Sequence, residues 1–204
     1  MNDKSKLDIR HTINQLNKWV GEKYGLVTFE PHYWTIERRI IAEEYLQDDY
    51  NSALSSSLID YKFYCFNGEA YSVEALYDRK IITIGSVVKT DGPKFKSCAF
   101  DLDWNPIPEI YVDQLDYHCH PEIPKPCCLD EMLKICKTLS KAFPHVRVDL
   151  YEAHNKVYFG EMTFTPGGGK RSFTDEYFLE LGKQIDLSKA TRGAKRVPFA
   201  SYIS

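Results

Sequence analysis

The sequence has no long hydrophobic run and no excess of charge of one sign, and each absence excludes a class of protein. The longest apolar stretch, residues 81–88, is far shorter than the roughly 20 residues that span a bilayer, so we predict no membrane span. The 26 Lys and Arg and 29 Asp and Glu give a net charge of -3, which is not typical of a nucleic-acid-binding protein. No apolar segment typical of a secretory signal follows the first residues, so we expect a cytoplasmic protein.

Cysteine is also sparse, and its spacing disfavours both a disulfide scaffold and a zinc site. Six cysteines in 204 residues are too few for a fold that depends on disulfides, which fits a reducing compartment. Imidazole and thiolate are preferred zinc ligands, and the candidates are His118, His120, Cys127 and Cys128. Ligand pairs in structural zinc sites are separated by about two to four residues, whereas two of these cysteines are direct neighbours. We therefore favour plain loop residues over zinc ligands at these positions.

Length and composition leave room for one domain with at most a small appendage. A hydrophobic fraction of 43% is enough for a core. The patterns predict an α+β fold in which helices flank a mainly antiparallel sheet. We assign residues 1–30 to an amino-terminal helix, residues 31–186 to the domain itself and residues 187–204 to a mobile basic tail.

Helices are predicted where apolar residues recur at helical spacing. The pattern predicts helices over residues 7–23, 129–143 and 174–181, the last of which Gly182 should end. Residues 187–204 carry only weak periodicity, in keeping with a tail.

Strands are predicted from alternation, β-branched content and turn residues. Asn67-Gly68 is the strongest short hairpin signal, since a type I′ turn needs positive φ at both central positions. It joins predicted strands over residues 59–66 and 69–77. Further strands are predicted over residues 36–46, 81–89 and 98–104, with a loop over 47–58 and an irregular, proline-rich segment over 105–126.

A second hairpin is predicted from two alternating segments, residues 145–152 and 156–164, joined by a three-residue loop over 154–156. This register sets Asp149 opposite Glu161. Two residues along, Arg147 lies opposite Thr163 on the same face of the hairpin. The other face carries the apolar set Val146, Val148, Leu150, Tyr158, Met162 and Phe164.

The pairing of Asp149 with Glu161 points to a cation site. Opposed Cβ atoms lie about 4.5 to 5.5 Å apart, and two carboxylates this close repel each other unless a cation lies between them. Mg²⁺ takes oxygen ligands and commonly one or two carboxylates, which these two residues with Thr163 could supply. The glycines that follow, from Gly167, would let backbone N–H groups approach an anion. The patterning leaves open a plainer alternative, in which the two acids are solvated strand residues and the glycines form an ordinary turn.

The order of these residues resembles a known family. Arg147-x-Asp149, followed after a short connection by Glu161-x-Thr163-x-x-Pro-Gly, is similar to the metal-binding end of the ATP-grasp ligases. With residues 60–68 and 101–104, it resembles the TupA-like branch, which is associated with teichuronopeptide and other surface-polysaccharide biosynthesis. The likeness runs from about residue 34 to about residue 182 and implies an ATP-grasp-like fold.

The resemblance implies roles for the second hairpin. Asp149 and Glu161 would hold Mg²⁺ or Mn²⁺, and Thr163 takes the position of the usual ligand asparagine, which is a departure from the general pattern. Arg147 would face the phosphates of ATP or the developing charge of an acyl-phosphate. Gly167 would contribute to the catalytic loop.

The resemblance also implies a nucleotide site. The hinge whose backbone reads the adenine edge in ATP-grasp enzymes would correspond to Glu43, Glu44, Tyr45 and Leu46. Lys62 and Arg79 are candidates for contacts to ribose, phosphate or substrate, with a solvated sheet edge as the alternative for both.

The implied activity is ATP- and Mg²⁺-dependent carboxylate–amine ligation through an acyl-phosphate, on a sugar-acid or amino-acid acceptor. ATP-grasp enzymes carry a strand with a phosphate-binding lysine and a flap before the hinge, and neither is found before Glu43. The likeness is thus to the carboxyl-terminal two-thirds of the family. We therefore keep a second expectation, a non-catalytic remnant or a subunit that needs a polypeptide to supply the amino-terminal half. A third is a metal-dependent glycosyltransferase, suggested by Asp101-x-Asp103.

Overall fold

The computed structural model describes residues 7–22, 30–46, 55, 57–78, 96–112, 123–169, 171 and 173–189. They divide into two compact units. The first holds the described residues up to Tyr45 together with Gly167–Gly169, and the second holds the others. Several predicted features lie outside the described residues: the strand over 81–89, most of the loop over 47–58, Arg79, His118, His120 and the tail beyond 189.

In the first unit, helix α1 spans Ile9–Gly21, close to the predicted range. Asp8 caps it, because its Oδ1 accepts a hydrogen bond of 2.9 Å from the backbone N–H of His11. No helix within the described ranges is long and apolar enough to cross a membrane.

The strand predicted over residues 36–46 is wrong. A short 3-10 helix, Pro31–Thr35, precedes this segment, and the segment itself is neither helix nor strand and joins no sheet ladder in the described structure. Its three isoleucines are exposed, with Ile41 79% exposed. Arg38 donates to the carbonyls of Val20 and Gly21 at 3.1 Å each, so the segment is held to the end of α1 by a side chain. β-Branched content alone therefore misled the prediction, because a strand also needs a partner.

The second unit is built on a five-stranded antiparallel sheet, so the predicted α+β class is confirmed. The strands are β1 (Asp60–Phe66), β2 (Glu69–Tyr77), β3 (Lys96–Phe100), β4 (Val146–Ala153) and β5 (Lys156–Thr163). Their order across the sheet is β3-β2-β1-β4-β5. β1 therefore lies at the centre and pairs the first hairpin with the second.

The first hairpin is confirmed. Asn67 and Gly68 have φ values of 52° and 93°, as the turn between β1 and β2 requires. The predicted strand over 98–104 begins earlier and ends at Phe100. It ends there because Asp101 Oδ1 accepts backbone hydrogen bonds from Asp103 and Asn105, which fold the chain into a turn.

Two further helices cover this unit. Helix α2 (Leu129–Ser140) stops short of the predicted residue 143 and buries Met132 and Cys136 in one core cluster with Phe63 and Val148. Helix α3 (Asp175–Lys183) begins after the N-cap Thr174, and Gly182 lies inside it rather than ending it. A second cluster contains Tyr64, Phe66, Ala99, Ile110, Tyr111, Phe173 and Tyr177.

The second hairpin has the predicted pairing at its site but not at its turn. The turn is the two-residue pair His154-Asn155, with φ values of 52° and 57°, so Ala153 pairs with Lys156 rather than Val157. A β-bulge then shifts the register between Asp149 and Leu150, whose partner is Phe159. The shorter turn and the bulge each shift the predicted register by one residue, in opposite directions, so their effects cancel at Asp149. Asp149 therefore pairs with Glu161 as predicted.

Gly160 is the extra residue of this bulge. A Cβ atom there would lie 2.8 Å from Cε2 of Tyr151 and 3.0 Å from the backbone oxygen of Asp149, so the strands can approach this closely only at a glycine. The shift also corrects the prediction for Tyr158. It lies opposite Tyr151, on the face of Asp149, rather than with the core residues.

The first testable prediction concerns the bulge. Gly160→Ala should lower the free energy of unfolding by about 1–3 kcal/mol, because the added methyl meets backbone that cannot move aside. Gly182→Ala is the matched control: its Cβ meets nothing within 4 Å, and in a helix the change should stabilise by about 0.5–1 kcal/mol. Urea unfolding of both variants measures the difference. Equal stability of the Gly160 variant and the parent would contradict the role given to the bulge.

Candidate functional site

The candidate site lies on the face of the sheet opposite α2, where three strands bring charged residues into one row. Lys62 of β1 pairs with Asp149 of β4, and Asp149 pairs with Glu161 of β5. In the next row Arg147 pairs with Thr163, so the predicted neighbours are confirmed as neighbours. Val146, Val148 and Leu150 alternate onto the other face, whereas Tyr64, which pairs with Arg147, lies on the charged face with the second core cluster.

Arg147 is the cation that lies between the two acidic side chains. Its Nε donates to Asp149 Oδ1 at 2.7 Å, and its Nη2 donates to Asp149 Oδ2 at 2.8 Å. The same Nη2 lies 3.0 Å from Glu161 Oε1 and 2.9 Å from Thr163 Oγ1. Burial lowers the pKa of the guanidinium, but the hydrogen bonds and charge of Asp149 outweigh burial, and the pKa is raised overall. Arg147 is thus a fixed positive charge that touches all three predicted metal ligands.

Lys62 is the second cation of the cluster. Its Nζ forms short contacts with Asp149 Oδ2 and lies 2.8 Å from Asp60 Oδ2. Asp60 and Asp149 are each 1% exposed and Lys62 is 4% exposed. Carboxylates this deeply buried need paired cations, because an unpaired buried charge is very costly.

Counted over the described residues alone, the charges of the cluster do not balance. Asp60, Asp149 and Glu161 contribute three negative charges, whereas Lys62 and Arg147 contribute two positive charges, which leaves one negative charge. The Glu161 side chain is 55% exposed, so this excess charge lies at the open side of the cluster. An additional cation from solution is therefore electrostatically favoured there.

The donor atoms fit a hard divalent cation by their chemistry. Asp149, Glu161 and Thr163 present carboxylate and hydroxyl oxygens, which Mg²⁺ and Mn²⁺ prefer. Across the part of the chain that the structure describes, no group of three or more His, Cys, Asp or Glu side chains is arranged to hold a metal. Asp149 Oδ1 accepts one bond from Arg147, whereas Oδ2 is contacted by both Arg147 and Lys62. A carboxylate has about four acceptor sites, so Oδ1 keeps one for a metal, and Oδ2 can coordinate only if one of its two donors withdraws.

Sequence reasoning missed two buried acids on the same face, Asp60 and Glu74. Glu74 pairs with Lys62 across β1 and β2 and is 1% exposed. Arg171 forms hydrogen bonds with both of its oxygens, and the hydroxyls of Tyr64 and Tyr111 donate to it at 3.2 and 3.3 Å. Burial and the Glu74 charge raise the pKa values of both tyrosines. A glutamate inside the apolar run of residues 73–77 was the one signal that could have revealed it.

Most of the other predicted nucleotide and catalytic residues belong to the first compact unit, whereas the charged cluster belongs to the second. Glu43, Glu44 and Tyr45 belong to the first unit and are exposed, and Leu46 belongs to the second. Gly167, also in the first unit, has a left-handed φ of 59° that favours glycine. Their roles therefore remain predictions.

Two residues of the competing motifs, Asp101 and Cys128, have shifted pKa values with local causes. At Asp101, desolvation acts to raise the pKa, but hydrogen bonds from Asn105 and from the backbone outweigh it and lower the pKa, because the carboxylate holds a turn. The pKa of Cys128 is raised to about 11 by desolvation and a hydrogen bond with Glu152, which disfavours a reactive thiolate.

Comparison with known proteins gives one result. The family model described as TupA-like ATPgrasp matches residues 1–186 of the 204-residue chain. The match contains the whole charged cluster and extends beyond the predicted likeness at both ends. No curated protein and no solved structure shows a significant match.

The second testable prediction concerns the buried ion cluster. Arg147→Met should lower the free energy of unfolding by about 3–5 kcal/mol, because it leaves Asp149 buried with one cation fewer. Lys137→Met is the control, since Lys137 pairs with Glu69 through side chains 65% and 70% exposed and should change stability by at most about 1 kcal/mol. Urea unfolding compares the two. Similar small losses in both variants would contradict the charge burial described here.

Proposed function

The chain belongs to the TupA-like ATP-grasp family, and from this membership we propose that it is an ATP- and Mg²⁺-dependent ligase-type protein of cell-surface polysaccharide biosynthesis, acting in the cytoplasm. The observation that carries the proposal is the cluster of Arg147, Asp149, Glu161 and Thr163. It combines hard oxygen donors, one excess negative charge and a fixed guanidinium on one sheet face. ATP-grasp ligases use such a set to transfer a phosphoryl group.

The proposed reaction forms an amide bond in two steps. A substrate carboxylate oxygen attacks the γ-phosphorus of ATP, the bond to the β-phosphate oxygen breaks, and ADP leaves. The nitrogen of an acceptor amine then attacks the acyl carbon, loses a proton and displaces inorganic phosphate. The acceptor is a sugar-acid or amino-acid unit of a surface polymer.

In this reaction Arg147 stabilises the charge that moves onto the phosphoryl oxygens. Its position is fixed in advance by two bonds to Asp149 and by bonds to Glu161 and Thr163, so no reorganisation is needed when the charge develops. Asp149, Glu161 and Thr163 would hold the metal, which when bound supplies positive charge to the phosphates.

The remaining nucleotide contacts follow from the family pattern. The backbone of residues 43–46 would read the adenine edge, and Arg79 would contact ribose or phosphate. Gly167 would bring backbone N–H groups to the phosphates. Its φ of 59° is left-handed, a conformation that glycine adopts easily because it has no side chain.

A second candidate function is a non-catalytic subunit or remnant that keeps the fold and binds a partner polypeptide or nucleotide. The observation that favours it is the pairing of Asp149 with both Arg147 and Lys62, since a purely structural ion cluster has the same form. The glycosyltransferase alternative has no such support, because Asp101 is committed to its own turn.

The third testable prediction concerns the binding of MgATP, which the enzyme requires. The protein should bind MgATP at micromolar concentration, and Glu161→Gln should raise the Kd about tenfold or more, the equivalent of at least about 1.4 kcal/mol. Glu161 is half exposed, so this variant should fold normally. Glu69→Gln, another exposed glutamate of the same sheet, is the control and should bind as the parent does.

Isothermal titration calorimetry measures all three proteins. Absence of binding by the parent, with or without Mg²⁺, would contradict the enzyme and leave the remnant function. Equal loss of binding in both glutamate variants would contradict the assignment of Glu161 as a metal ligand.

A further inference from the structure

Lys62 lies where a nucleotide contact was expected, but its ammonium group points into the acidic cluster instead. It contacts Asp149 Oδ2 and lies 2.8 Å from Asp60 Oδ2. We propose that Lys62 is an internal counter-ion that neutralises Asp149 before a divalent cation binds and competes with that cation for the Asp149 carboxylate. This inference rests on the proposed metal site of Asp149 and Glu161.

Asp149 requires a cation at all times because it is 1% exposed. Three donor contacts reach its two oxygens, two from Arg147 and one from Lys62. The Arg147 contacts are two parallel bonds, and the same guanidinium is also bonded to Glu161 and Thr163. Lys62 makes a single contact with Asp149 from the neighbouring strand. Lys62 is therefore the donor that an entering metal can displace.

Displaced Lys62 already has a second partner. Asp60 lies two residues earlier on the same strand and face, and it is equally buried. The four-carbon stem of lysine lets the ammonium shift towards Asp60 without a change in the backbone. A pair formed by Lys62 and Asp60 is neutral. The remaining Asp149, Glu161 and Arg147 then carry one negative charge, which a divalent cation complements.

If Lys62 competes with the metal, removal of Lys62 and removal of Asp60 should change the affinity for Mn²⁺ in opposite directions. Lys62→Met removes the competing charge, so Mn²⁺ should bind more tightly. Asp60→Asn removes the carboxylate to which Lys62 can shift. Lys62 then stays with Asp149, so Mn²⁺ should bind more weakly. If Lys62 instead contacts ATP phosphates, Lys62→Met should weaken ATP binding and leave the binding of Mn²⁺ alone unchanged.

The test is titration of the full chain with Mn²⁺ alone, with free Mn²⁺ measured by its electron paramagnetic resonance signal. A charge this close changes proton affinity about ten- to a thousandfold, so we expect about tenfold tighter Mn²⁺ binding in Lys62→Met and weaker binding in Asp60→Asn. Lys137→Met removes an exposed lysine and is the control, with an affinity equal to that of the parent.

Lys62→Met could fail to fold because it buries two acids with one cation fewer. The double variant Asp60→Asn with Lys62→Met removes one charge of each sign and keeps the cluster at the same net charge. It should bind Mn²⁺ more tightly than Asp60→Asn alone by the same tenfold. Equal Mn²⁺ affinity in Asp60→Asn and the double variant would overturn the inference.

The outcome also separates this inference from the proposed function. If MgATP binding depends on Glu161 but Mn²⁺ affinity is unchanged by the Lys62 variants, the proposed function stands and the counter-ion role falls. If the parent binds no Mn²⁺ whereas the double variant does, Lys62 blocks the site as proposed. If no variant binds Mn²⁺, the counter-ion role falls together with the metal site.

Discussion

The burial of the Asp149 carboxylate is the constraint on which the rest of this site depends. At 1% exposure it needs paired cations, and these come from its own strand and from a neighbouring strand. Arg147 reaches it along its own strand and Lys62 reaches it from β1. The same guanidinium binds Glu161 and Thr163, so one buried charge fixes the positions of all the candidate metal ligands.

The backbone of the second hairpin makes this arrangement possible. A two-residue turn on its own would place Asp149 opposite Gly160, and the bulge at Gly160 moves Glu161 into that position instead. α2 covers one face of the sheet. On the other face the charged residues lie beside buried aromatic residues of the second cluster, such as Tyr64, which pairs with Arg147. Glu74 is a second example of a buried carboxylate in this sheet that is paired with an arginine, here Arg171.

The sequence predicted the features whose signals are local. Asn67-Gly68 located the first hairpin, because its turn chemistry is confined to two residues. The pairing of Asp149 with Glu161 was predicted correctly although the turn was not, since alternation cannot reveal a bulge. The contacts of Lys62 with Asp149 and of Glu74 with Arg171 could not be predicted, because these pairs are 87 and 97 residues apart and meet only once the sheet has formed. The prediction of a strand over residues 36–46 was wrong because β-propensity carries no information about a partner strand.

The central claim is that the cluster around Asp149 is a divalent cation site and not only a structural ion network. The most direct measurement is a crystal structure grown with Mn²⁺ and a non-hydrolysable ATP analogue, with anomalous scattering recorded at the manganese edge. This account predicts an anomalous peak bound by carboxylate oxygens of Asp149 and Glu161, with the analogue's phosphates completing its shell. An ordered analogue without such a peak, or a peak bound elsewhere, would contradict it.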